Sequence, residues 1–190
     1  FLAAYRAGDE ETAWKTLSQT RDVVTGKWLV EQLSQKIIDA RIRGDDIAAN
    51  DSIDALRFIG RLEETRNADF FVSEIAEFYA GERDWKKTRD AKRLMREGFD
   101  AIWTTKPGKS VENFESSRRA FEKLGNLPEA ELARLWKAHG LSDVPKIAES
   151  DAALSENAKT AAERRYRWLL LQIKDWQANN HLLRSEISRS

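Results

Sequence analysis

Cysteine is absent from the 190 residues, and proline (3) and glycine (9) are scarce. The first absence excludes disulfides, a thiol nucleophile and cysteine-based metal sites. Alternating β-branched runs bounded by turns are nearly missing, which argues against strands. Long apolar runs are missing too. The stretch "WLLLQI", Trp168 to Ile173, is far too short to span a membrane, and no signal peptide is visible. An excess of one charge is also lacking. Lys plus Arg and Asp plus Glu number 32 each, which argues against a general attraction to nucleic acid or to a membrane surface. The chain opens at Phe1 without a Met and ends in "SEISRS", so a fragment or processed product is expected. The cytoplasm is the expected compartment, and an extracytoplasmic one stays open for the same reason.

What is present suits long amphipathic helices: 34% charged residues with 41% hydrophobic ones. The expected fold class is all-α. A helix tail over Phe1 to Ala7 stops at Gly8, with Asp9 as the next cap. Ala13, Trp14, Leu17 and Val24 form a helical stripe, ended by Gly26. Trp28, Leu33, Ile37 and Ala40 follow as far as Gly44, then Ile47, Ile53, Leu56, Ile59 and Leu62. Asn67 is expected to cap a fifth helix that ends at Gly81, and Met95, Phe99, Ile102 and Trp103 mark a sixth. "KPG" at 106–108 reads as a loop before a seventh helix from Ser110. Gly125, Asn126, Pro128 and Glu129 read as a stop, a cap, a first turn and a capping partner, with Gly140 closing the eighth helix.

Four sites share one pattern, in which a helix stops at Gly and another starts at once. They are "RAGDEETA", "RIRGDDIAA", "FYAGERDW" and "EKLGNLPEA", with Gly8, Gly44, Gly81 and Gly125 spaced 36, 37 and 44 residues apart. Ala stands five residues after Gly in three of them, at Ala13, Ala49 and Ala130; Lys86 takes that place in the third. A period near 35 with helix, tight turn and helix is the signature of an α-solenoid. This pattern resembles the tetratricopeptide repeat. In the fourth copy Phe114, Phe121, Gly125 and Ala130 match the family's early aromatic, its Tyr-like position, its turn and its crossing residue. Ser117-Arg118 stands where the family has Leu-Gly, and the family's closing Pro is missing from every copy.

The resemblance implies a TPR-like α-solenoid of about 3–4 degenerate repeats over 1–140, with 141–190 as a capping region of the same domain. An irregular helical bundle is the alternative. Implied with it is a non-enzymatic scaffold that binds a peptide or partner protein in a groove lined by the first helix of each pair. The family's inward positions fall here on Glu31, Arg41, Glu74, Glu77, Glu112, Glu115, Arg119 and Glu122. That surface is mostly acidic, so the implied partner is basic.

In the C-terminal region Ala162, Tyr166, Leu169, Ile173, Trp176, Asn180, Leu183 and Ile187 are spaced 4, 3, 4, 3, 4, 3, 4. This heptad stripe predicts one long helix over 157–188. It either caps the array in the same chain or forms a coiled-coil seam with a second copy, Asn180 being a possible register marker. Self-association through it is the second functional reading, and a helical ligand-sensing domain the third.

No chemistry-bearing motif emerges. His139 and His181 have no partners at metal-ligand spacing, and there is no H-E-x-x-H, P-loop, G-x-G-x-x-G or G-x-S-x-G. "DDIAAND" lacks the alternation and Gly of a calcium loop and reads as an acidic helix start. No metal or cofactor is expected. Acids prevail from Asp45 to Glu82 and bases from Arg83 to Lys109. Complementary helix faces are the first explanation, and a basic docking patch the second. The seven tryptophans fall on or beside apolar stripes; an exposed one would be a candidate interface anchor.

Overall fold

The computed structural model describes residues 1–19, 23–144 and 146–187, without the side chains of 23–28, 186 and 187. The expected contributions of the Val24, Trp28 and Ile187 side chains therefore lie outside the described residues. The fold is all-α. In order the helices are α1 (Leu2–Arg6), α2 (Glu10–Gln19), α3 (Val23–Arg43), α4 (Asp46–Asn67), α5 (Phe71–Ala80), α6 (Trp85–Trp103), α7 (Pro107–Leu124), α8 (Leu127–Asp143), α9 (Ile147–Glu163) and α10 (Arg167–Ile187). No helix among the described residues is long and apolar enough to cross a membrane. The chain divides into two compact units, Phe1–Lys86 and Lys87–Ser190. The division expected at 140 falls inside α8, within the second unit.

Three of the four glycine turns are built alike. Gly8, Gly44 and Gly125 have φ of 69°, 75° and 77°, a left-handed conformation that costs a side-chain-bearing residue about 1–2 kcal/mol. In each, the next residue's N–H reaches back to a carbonyl five positions earlier: Asp9 to Ala4, Asp45 to Ala40 and Asn126 to Phe121, all at 2.9 Å. That is the bond that closes a helix C-terminus. The same residue then caps the following helix. Asp9, Asp45 and Asn126 accept from the backbone N–H of Thr12, Ala48 and Glu129 at 3.0, 3.1 and 3.3 Å. Ala13, Ala49 and Ala130, five residues after the glycines, are fully buried. The Gly81 turn departs from this plan. Its backbone is extended, and Arg83 folds over the Phe78 ring beside it, 4.8 Å from the centroid.

In the first unit α3 packs on α4 and α4 on α5, with Leu33, Ile37, Ile53, Leu56, Ile59 and Ile75 buried. Tyr5 of α1 closes on Phe58 of α4, ring centroids 5.1 Å apart. In the second unit Ala91, Met95, Phe114, Phe121, Ala130 and Ala133 form a buried cluster across α6, α7 and α8. Gly98 permits that approach, because a Cβ there would lie 2.8 Å from the Phe114 ring. Buried polar side chains tie neighbouring helices together. Ser117 donates to the Ala91 carbonyl at 3.0 Å, Ser150 to Ala138 at 2.8 Å and Asn157 to Glu131 at 3.0 Å.

Several expected boundaries shift. Gly26 lies inside α3, and Asn67 ends α4 rather than capping α5. Pro107 begins α7 in the first-turn position that suits proline, so "KPG" is a helix start. Gly140 does not end α8; it is buried within the helix, where a Cβ would sit 3.0 Å from Val111. The single helix expected over 157–188 is two helices, α9 and α10, parted by a turn with Arg165 at φ 58°.

Candidate partner-binding surface

The sequence places eight groove residues on α3, α5 and α7. In the first unit Glu31 and Glu74 are half-buried. Arg41 pairs with Asp46 and donates to Asn50 Oδ1 at 2.8 Å, which holds the start of α4 against the end of α3. Glu77 is exposed and accepts from Arg57 Nε of α4 at 3.2 Å.

In the second unit Glu112, Glu115, Arg119 and Glu122 recur at steps of three and four on α7, along one face. Glu115 accepts from Arg119 Nε at 2.6 Å, Arg118 Nη2 at 2.8 Å and Lys137 Nζ of α8 at 3.0 Å. The Arg118 guanidinium, helped by Lys137 and Arg119, holds the Glu115 carboxyl well below the usual carboxylate range against the opposing effect of burial. Glu122 pairs with Arg118 and approaches Arg134 at 3.6 Å. Arg134 reaches on to Glu156 of α9 at 3.1 Å. A ladder of alternating charges thus runs from α7 over α8 to α9. The mostly acidic surface expected from the carboxylates alone is partly neutralised by these cations. Glu112 is exposed and has no ion pair among the described residues. Beneath the ladder Glu131 is nearly closed to solvent, its Oε2 without a hydrogen bond, and burial raises its carboxyl above the ordinary value.

The heptad stripe packs inward in its own chain. Tyr166, Leu169, Ile173 and Asn180 are buried, and Trp176 and Leu183 half-buried. Asn180 donates to Ser150 Oγ at 2.9 Å and Asp151 Oδ1 at 2.7 Å and accepts from Ser142 Oγ at 2.7 Å, which fixes α10 on α8 and α9. Trp176 meets His139 of α8 edge-on, ring centroids 4.0 Å apart. His139 Nδ1 lies 3.3 Å from Asp143 without hydrogen-bond alignment, and burial lowers its pKa despite that carboxylate. Ala162, placed first in the stripe, is exposed; Ala161 is the buried neighbour.

Two large apolar side chains counted as core are exposed: Ile47 at 79% and Trp103 at 83%. The signal for Trp103 was legible. Thr88, Ala91, Met95, Gly98 and Ala101 are buried at steps of three and four, and position 103 falls off that face. The buried pair Lys92 and Glu129, 2.6 Å apart, was missed as well. Among the described residues no three His, Cys, Asp or Glu side chains gather as a metal site. A shallow depression between α9 and α10 is lined by Asp151, Ser155, Gln177, His181 and Arg184, with Asp151 and Arg184 paired to each other. No family model, curated protein or solved structure matches the chain.

Proposed function

We propose that the protein is a TPR-like, non-enzymatic interaction scaffold that binds a peptide or partner protein on its helical hairpins. One observation carries this reading. The turns at Gly8, Gly44 and Gly125 repeat the same left-handed stop, the same Asx cap and the same buried Ala. A hairpin unit repeated in this way, with the first helix of each pair carrying polar side chains at helical spacing, supports peptide recognition more than catalysis.

The α7 face is the best-supported docking region. Glu112 is free to take a Lys or Arg of the partner, while Glu115 and Glu122 are held in place by Arg118, Arg119 and Lys137. Pre-held side chains lose little freedom on binding, which favours affinity. Self-association through the Tyr166–Leu183 stripe is less favoured, because that stripe would first have to leave α8 and α9.

Selection from a displayed random-peptide library tests this reading. Enriched sequences are expected to share basic positions, to bind less tightly as salt rises, and to lose roughly tenfold in affinity with Glu112→Arg. A library that yields no common motif, or peptides indifferent to Glu112→Arg, would count against it.

A further inference from the structure

We propose that the outward face of α6, with Arg89, Arg93, Arg96 and Trp103, is a second docking surface that takes an acidic protein segment bearing an apolar side chain. All four residues are exposed and lie within the second unit. At 3.6 residues per turn they fall within about 80° of one another and span about 21 Å of helix. The core takes the other side of α6, with Thr88, Ala91, Met95, Gly98 and Ala101 buried, and the buried Lys92 lies at the border, about 20° from Trp103.

An isolated exposed apolar residue carries little meaning on a protein surface. Trp103 differs by its place. It ends a row of three arginines on the same face, and Trp and Arg are both enriched among the residues that carry most interface energy. Trp103 is 83% exposed, although Phe99 and Ile102 in the same turn pack inward. Arg93 touches Glu97 at 2.6 Å and Asp90 at 3.8 Å within its own helix. Such exposed pairs are weak and exchange readily for a partner's carboxylates.

Charge decides the class of occupant. The bases of α6 outnumber its acids, which favours a segment rich in Asp or Glu. The interspersed Asp90, Glu97 and Asp100 interrupt the continuous positive track that a phosphate backbone needs, and the whole chain is neutral. A protein segment places its carboxylates one at a time and can also cover Trp103.

This surface is separate from the α7 face and takes the opposite charge, so the two readings stand or fall independently. The test uses the full chain and fluorescence anisotropy of three labelled probes: a Glu-rich peptide with a central Leu-Phe pair, its Lys-rich counterpart, and a single-stranded oligonucleotide. The acidic peptide is expected to bind. The Arg89→Glu, Arg93→Glu double variant and Trp103→Ala are each expected to weaken it roughly tenfold or more, with far-UV circular dichroism unchanged. Glu112→Arg should leave this binding intact. The proposal is overturned by no binding of the acidic peptide, by binding that neither variant changes, or by an oligonucleotide that binds more tightly and depends on the same residues.

Discussion

Lys92 and Glu129 form an ion pair whose side chains are each 2% exposed, Lys92 on α6 and Glu129 in the first turn of α8. Removing one partner takes the ion-pair partner from a buried charge. Glu129→Ala is expected to cost about 3–5 kcal/mol, whereas Lys92→Met with Glu129→Leu should come close to neutral. Urea unfolding of the three proteins checks this; equal losses for the single and double variants would mean the charge pair is incidental. His139 gives a pH dependence. Burial between Trp136 and Trp176 lowers its pKa below the ordinary 6.5, so the folded state resists the proton that the unfolded chain accepts. Its contribution is present above pH 6.5 and is lost as pH falls through the lowered value. The urea midpoint of the wild type should therefore fall more steeply below pH 6.5 than that of His139→Phe. Parallel curves would remove His139 as the source.

Turns decide what could be read from the sequence at the level of helices. Gly8, Gly44 and Gly125 were legible because glycine is the residue that enters the left-handed region without strain. Ala68, Thr105 and Arg165 adopt the same conformation, at φ 50°, 55° and 58°, with no glycine to announce it. The α9–α10 break was hidden for a second reason. Ala162 stands four positions before Tyr166 and so extends the three-and-four spacing in the sequence, although it is exposed and the residues buried on either side of the break, Ala161 and Tyr166, are five apart. Gly140 misled in the opposite sense, because a glycine at a close helix contact carries the same letter as one at a helix end. Two substitutions follow. Arg165→Gly is expected to stabilise the second unit by about 0.5–1 kcal/mol through relief of strain, and Gly125→Ala to destabilise it by about 1 kcal/mol. Thermal unfolding checks both, and shifts of the same sign would refute the account of these turns.

At the scale of the whole molecule, the all-α class was legible from composition, and three of the four glycine turns from their sequence pattern. The division into units at 86/87 was not, because it falls within the first turn of α6 and no Pro- or Gly-rich linker marks it. The α7 face was legible as a row at helical spacing, but its electrostatics were not. Lys137, which neutralises Glu115, comes from 22 positions away along the chain. The central claim is that α7 presents a peptide-binding face on a repeated hairpin scaffold. Hydrogen exchange of the full chain, with and without a basic peptide selected from the library, tests it most directly. The account predicts slowed exchange in α7, Pro107–Leu124, with α10 unchanged. Protection confined to α10, or none in either helix, would contradict it.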